Sequence, residues 1–342
     1  MQKLLIVSCL LVFFSCGGLQ DLAEPSMEVA PRIAFYNVEN LFDTEDDTSN
    51  PKDNEFLPSS DKKWTPERYD KKLNDLASVI AGMKLPAFVG LCEVENEKVV
   101  RDLAKNSQLK AADYEVVHID GPDFRGIDNA FMYCKKGFSV LNAETFEIKF
   151  PIEVDTNGYT TRDILYIEGI QNNNDTLHFF INHWPSRSGG LEASQPRRVY
   201  VAQQLRKIVD ELMERRPGAQ IIIMGDFNDE TNNQSIAQEL RAQPNKSNLQ
   251  AGELYNCFAE LDAAGRGSYN YRGNLNMLDQ IIVSGSLLDQ TGWRVTNPEI
   301  YEPEFITFTH DEYGKTPNRT FGGDNYYGGF SDHYPVYVEL EK

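Results

Sequence analysis

Short apolar runs bounded by turn residues recur along the chain, at 33–38, 88–94, 130–134, 164–170, 177–182, 221–224, 280–283 and 336–340. Runs of this length, rich in β-branched and aromatic residues, read as strands, and the uniformly apolar ones as strands buried on both faces. Amphipathic helices lie between them. Thr65 and Pro66 supply an N-cap and a first-turn proline for a helix whose apolar residues Tyr69, Leu73, Leu76 and Ile80 recur at helical spacing. A second helix is expected from about Pro196, with Val201, Leu205, Ile208 and Leu212 on one stripe and a stop at Pro217-Gly218. This mixture predicts an α/β fold of two packed sheets with helices outside. The stretches 43–60, 172–175 and 314–329, rich in Asn, Asp and Gly, are expected as exposed loops, and the acid run Asp43 to Asp47 as a solvated one.

With 342 residues, 41% of them hydrophobic, the chain can bury roughly 75% of its unfolded surface in a single core. No linker rich in Pro, Gly or Ser divides it, so one domain is expected over 31–342 behind a leader of 1–30. In that leader Lys3 gives a positive start and 4–14 is almost unbroken apolar sequence, too short to span ~30 Å of hydrocarbon. Ser15-Cys16-Gly17 follows at the distance of a bacterial lipobox, with Cys16 as the lipidated residue; Cys9 would leave too short an apolar run. Cleavage by ordinary signal peptidase is the alternative. Either way the mature protein is expected to be exported, as a lipoprotein on a bacterial membrane or as a periplasmic or secreted protein. Cys92, Cys134 and Cys257 lack metal-type spacing, and buried free thiols are expected at Cys92 and Cys134.

The positions of the polar residues are more informative than their number. Asn37 lies near the end of the first run, Glu93 in Leu91-Cys92-Glu93-Val94, and His183 after Phe179-Phe180-Ile181-Asn182. Asp226 and Asn228 follow 221–224, Asp279 precedes Ile281-Ile282-Val283, and Asp332-His333 precede Val336-Tyr337-Val338. Four of these sites follow their strand and two precede theirs. If the last two strands run antiparallel to the others, all six meet at one edge, where such folds place their sites. Asn37, Glu93 and Asp226 offer hard oxygen ligands suited to Mg²⁺, Mn²⁺ or Ca²⁺ rather than the Cys/His set of zinc. A hard cation there polarises a phosphoryl oxygen, and the two histidines supply acid–base help worth about 10²–10⁴-fold each. A serine elbow, a glycine-rich phosphate loop and a His-Glu-x-x-His motif are all missing.

The series 35–40 (FYNVEN), 93–96 (EVEN), 182–186 (NHWPS), 225–229 (GDFND) and 331–336 (SDHYPV) resembles, in order, the motifs of the endonuclease/exonuclease/phosphatase superfamily. The resemblance runs over about 31–342, and GDFND followed by SDHYPV is its most specific part. It implies a four-layer sandwich of two packed mixed β-sheets flanked by helices. It also implies that Glu93 is the principal metal ligand, supported by Asn37, with Asp332 on the metal side and Mg²⁺ or Mn²⁺ as the ion. Ca²⁺ is a possible accessory ion. Asp226 orients or deprotonates the attacking water, Asn228 holds the phosphate, and His333, oriented by Asp279, contacts the scissile phosphate. His183 matches the position where deoxyribonuclease I has its other catalytic histidine. Asp128 is expected to be its carboxylate partner on the substrate side.

Arg162, Arg187 and Arg125 are candidates for gripping substrate phosphate bidentately, and Tyr269, Tyr271 and Trp184 for stacking on a base or sugar. Glu39, Asn40 and Glu95 are read either as site residues or as loop acceptors. His118, His178 and His310 match no motif and are expected at the surface or in the core. The function expected first, for a monomeric protein, is that of a metal-dependent phosphoesterase cleaving phosphodiester bonds of nucleic acid as an endo- or exonuclease. The alternatives are a phosphatase or phosphodiesterase acting on a small metabolite or lipid headgroup and, of another class, an inactive surface binding protein. The net charge of −19 counts against the nuclease, because phosphate neutralisation needs a basic surface. Met277-Leu278-Asp279-Gln280 departs from the inositol-polyphosphate branch, and no exposed apolar run suits a sphingomyelinase hairpin. The insertion 44–65 is expected to narrow the cleft toward small substrates.

Overall fold

The structure, a computed structural model, describes residues 30–342 apart from 49, 51, 172–174, 251, 290 and 291. The expected leader, with Cys9 and the lipid-anchor residue Cys16, lies outside the described residues. The strands are β1 (Arg32–Leu41), β2 (Phe88–Val94), β3 (Tyr114–His118), β4 (Asp128–Cys134), β5 (Phe138–Phe146), β6 (Ile164–Gln171), β7 (Thr176–His183), β8 (Gln220–Asp226), β9 (Ala242–Gln243) and β10 (Leu254–Asn256). They continue with β11 (Tyr269–Tyr271), β12 (Asn274–Asn276), β13 (Asp279–Ser284), β14 (Arg294–Ile300), β15 (Thr307–His310), β16 (Gly314–Pro317), β17 (Phe321–Gly322), β18 (Asn325–Tyr326) and β19 (Val336–Glu341). The helices are α1 (Pro66–Gly82), α2 (Glu97–Ala104), α3 (Leu191–Arg215) and α4 (Ala259–Ala263).

Two mixed sheets form the body, in the orders β14-β19-β1-β2-β4-β3 and β5-β6-β7-β8-β13-β10-β9. Alternating side chains decide what lies on each face. In β8, Ile222 and Met224 join Phe179, Phe35, Leu91 and Phe131 in the core between the sheets. Ile221 and Ile223 point the other way and pack under Val201, Leu205, Val209 and Leu212 of α3. On the far side, Leu73, Leu76 and Ile80 of α1 and Val99, Val100 and Leu103 of α2 cover the first sheet. The result is the expected four-layer sandwich.

The reversal that would bring the polar sites together is present. β13 runs antiparallel to β8 with Asp279 opposite Asp226, and β7 runs parallel to β8 with His183 opposite Asp226. In the other sheet β1 and β2 are parallel with Asn37 opposite Cys92, while β19 is antiparallel to β1.

Three expectations are corrected. α3 begins at Leu191, not near Pro196, which lies inside it. The early start is supported by Arg198, whose guanidinium donates to the Leu191 carbonyl (3.1 Å), and by Ser194 Oγ, which donates to that of Gly190 (2.7 Å). The stretch 43–60 is not uniformly exposed: Asp43, Asp53 and Phe56 are buried, and Phe56 stacks on Phe42 at 4.1 Å. Within 314–329, Thr320 and Phe321 are buried, because their amides donate to the Glu39 carboxylate at 2.6 and 3.0 Å. Cys92, Cys134 and Cys257 are free, Cys134 only half-buried.

Candidate active site

A β-bulge places the central carboxylate. The register of β2 shifts between Cys92 and Val94 against both neighbours, and Glu93 adopts a left-handed φ of 62°. The bulge turns its side chain to the sheet edge. There Oε2 accepts from the Asn40 amide (3.1 Å) and lies 3.7 Å from Arg125, while Oε1 is 3.9 Å from His183 Nε2. Asn37 reaches across to the other sheet and donates from Nδ2 to Asp226 Oδ2 at 3.1 Å.

Asp226 is the hub. Its Oδ1 accepts from the Asn228 amide at 2.9 Å, and its Oδ2 lies 3.7 Å from His183 Nε2 and 3.8 Å from His333 Nε2. Burial, with Asp279 close by, pushes its carboxyl up to about 6. His333 Nδ1 sits 2.6 Å from Asp279 Oδ2. Burial opposes the charged ring, but Asp279 and Asp226 outweigh it and hold the imidazolium well above the usual range. Tyr269 tilts over this ring at 4.8 Å. Burial holds His183 well below the usual range, helped by Arg162 and Arg125, so it is neutral. One histidine is charged and one is not.

The structure thus brings together Asn37, Glu93, His183, Asp226, Asn228, Asp279 and His333. Asp332 lines the same cleft and pairs with Arg319 at 2.9 Å. Asn228 is turned by a φ of 51° and gives one Nδ2 proton to the Trp184 carbonyl (3.1 Å), leaving the other for the cleft. Arg187 lines the cleft and donates to the Asn228 carbonyl at 2.7 Å, with Glu230 beside it at 3.5 Å.

Asp128 is not the partner of His183. It faces His118 instead, at 3.5 Å, and His183 Nδ1 is buried without a hydrogen-bond partner. Arg162 grips no substrate: it is buried and its bonds go to the carbonyls of His183 (3.2 Å) and Trp184 (2.6 Å) and to Asp123 (3.2 Å). It fixes the histidine rather than the phosphate. Trp184 is core, edge-on to Phe227, and cannot stack on a ligand. Glu39 and Glu95 act as loop acceptors, Glu95 taking the Asp43 amide at 2.7 Å, and His178 is buried.

Sequence reasoning missed Arg198 and Lys72. Arg198 Nε lies 2.8 Å from Asp229, clamping the loop that follows Asp226. Lys72, buried in α1, donates to Thr320 Oγ1 (2.6 Å), anchoring the segment that leads to Asp332 and His333. Their apolar stems at helical spacing resemble any other amphipathic stripe.

Asp226, Asp279 and His333 fall within metal-binding distance of one another, but the charged imidazole bonded to Asp279 repels a cation there. The oxygens of Glu93 and Asn37 fit a hard divalent ion better. Glu93 stands beside the neutral His183, 3.9 Å from its Nε2.

A sequence profile of the endonuclease/exonuclease/phosphatase family matches residues 32–342. The chain belongs to this family. Its enzymes hydrolyse phosphoester bonds with the help of divalent metal, and this chain has their fold. No curated protein matches it in sequence. Among solved structures it is similar to a mannosyl-6-phosphatase of Bacteroides thetaiotaomicron VPI-5482, at 17% identity and TM-score 0.57 over 92% of this chain and 100% of that one. It is similar as well to D. rerio TDP2 complexed with single-strand DNA product (17%, TM-score 0.54, 91% and 99%). The human Nocturnin catalytic domain is a third such family fold (13%, TM-score 0.53, 91% and 94%).

Proposed function

We propose that this family member is a metal-dependent phosphoesterase acting on a small phosphorylated molecule in preference to polymeric nucleic acid. The observation that supports this most is the shape of the site. The catalytic cleft, about 600 Å³, adjoins a second cavity of about 770 Å³, and the two share Tyr269, Tyr271 and Asp332. A walled cavity on a body of charge −19 suits a compact ester better than a polyanionic strand.

Glu93 and Asn37 are the residues to hold a divalent ion, which when bound polarises the phosphoryl oxygen and stabilises the leaving oxygen. Asp226, with its carboxyl pushed up to about 6 and the charged His333 ring no closer than 3.8 Å, takes the proton of the attacking water. His333, kept charged and oriented by Asp279, donates from Nε2 to a phosphoryl oxygen. Neutral His183 offers Nε2 on the other side of Asp226, and the second Nδ2 proton of Asn228 binds phosphate.

The test is a panel of sugar monophosphate, nucleotide monoester, chromogenic diester, RNA and plasmid DNA, with Mg²⁺ or Mn²⁺ and with chelator. Hydrolysis of a monoester or small diester should exceed that of polymer, and chelator, Asp226→Ala and His333→Ala should each cut it by at least roughly 10². Faster cleavage of plasmid would favour the nuclease reading, which has in its support the fold likeness to TDP2 solved with a DNA product. Activity that survives chelator would sink the mechanism. We further propose export with a lipid on Cys16, to be checked by loss of membrane association in Cys16→Ser.

A further inference from the structure

Asp128, displaced from His183, stands in a second cluster with His118 and Asp120, whose ligand atoms all lie within 4.8 Å of one another. Here β3 ends and β4 begins, and the loop between them folds back at Gly121. His118 is 2% exposed in its side chain, and its Nε2 is buried with no hydrogen-bond partner. Asp128 Oδ2 faces that nitrogen at 3.5 Å, and exposed Asp120 approaches the opposite ring nitrogen, Nδ1, at 3.7 Å. Gly121 is held bare: a Cβ there would meet Asp128 Oδ1 at 2.6 Å, with Asp163 Cγ at 3.8 Å. Asp163 Oδ1 is buried and unpartnered too.

We propose that His118 and Asp128 bind a transition-metal cation of the Zn²⁺ type at a site separate from the catalytic one. A protonated imidazole bonded to Asp128 would close to about 2.8 Å. The gap of 3.5 Å is instead close to the roughly 3.4 Å that separates two ligands about 2.1 Å from a tetrahedral ion. Asp120 sets the tautomer, drawing the proton to Nδ1 and freeing Nε2, the carboxylate–histidine–metal arrangement that orients such ligands. Water completes the shell. An imidazole ligand selects against Ca²⁺ and Mg²⁺.

The site would fasten the loop 119–127, which reaches the active site twice. Asp123 pairs with Arg162, which holds the carbonyls of His183 and Trp184, and Arg125 donates to Asn40 Oδ1 at 2.7 Å. The cation is thus a structural clamp on a loop that positions catalytic groups, with no part in the chemistry.

The experiment is calorimetric titration of the metal-stripped full chain with Zn²⁺ and with Ca²⁺, in a Glu93→Gln background that removes the catalytic ligand. One equivalent of Zn²⁺ should bind, raising the melting temperature, and Ca²⁺ should not replace it. Adding His118→Gln should abolish binding. Adding Asp120→Asn, at a solvent-exposed position that leaves the fold intact, should weaken it about 10- to 100-fold. Absence of Zn²⁺ binding in Glu93→Gln, or binding unchanged by both further substitutions, would overturn the proposal and leave an ion-paired histidine. Because the readout is binding, these results are independent of whether the chain hydrolyses small esters.

Discussion

Glu39, Asn40, Glu93 and Asn228 all take left-handed backbone angles at the catalytic edge. Each such non-glycine residue stores strain on the order of 1 kcal/mol or more, which the surrounding sheets must hold in place. Glu93→Gly should therefore leave the melting temperature within a few degrees of the parent while removing activity; a drop comparable to a core truncation would mean the carboxylate is kept for stability. Asp279→Asn tests the His333 pair: kcat should fall by about 10²–10⁴ with little change in KM, and an unchanged kcat would remove Asp279 from the mechanism. A third residue affects stability alone. Burial holds His178 at about 4, with Nδ1 2.8 Å from the Tyr166 hydroxyl. Its neutral form is favoured in the folded state, so this contribution is complete above pH 6.5 and is lost as pH falls toward 4. It amounts to on the order of 2 kcal/mol after solvent screening, and His178→Phe should flatten that part of the stability–pH curve. The residues that converge at the cleft were legible in the sequence because each adjoins an apolar run. The partner of His183 was not, because which carboxylate faces which ring depends on contacts between strands far apart in sequence, and those put Asp128 on His118.

At the scale of elements, the eight apolar runs became eight strands because all are central and enclosed. β3, β5 and β14 went unread: β5 alternates exposed and half-buried residues, and β14 contains a proline and a register shift against β19. α2 escaped because its eight residues have so short an apolar pattern, although Asn96 caps it by accepting from the Val99 amide at 3.0 Å. The antiparallel return of β13 and β19 was inferred from which side of each strand the polar residue fell on. What joins these elements at the site is less visible. Arg198 of α3 meets Asp229 in full burial, so Arg198→Met strands a carboxylate and should cost about 3–5 kcal/mol in urea unfolding. Replacing both members, as Arg198→Met with Asp229→Leu, should recover part of that loss. If the single change costs under about 1 kcal/mol, the clamp is incidental.

Taken whole, the molecule carries −19 charges, and that sets its behaviour toward polymers. Any residual cleavage of DNA should accelerate as salt rises from low ionic strength, since screening relieves repulsion between the body and the strand. Hydrolysis of a small ester should change little over the same range. Rates on DNA that fall steeply with salt would instead reveal a concealed basic track. The sheet order has another outcome. β1 enters at Arg32, paired with Glu339 near the end of β19, while its other end reaches the cleft at Asn37, roughly 17 Å of strand away. Both ends of the domain therefore leave from the rim opposite the catalytic mouth. A graft, tag or surface attachment at either end would leave that mouth facing outward, open to whatever diffuses past.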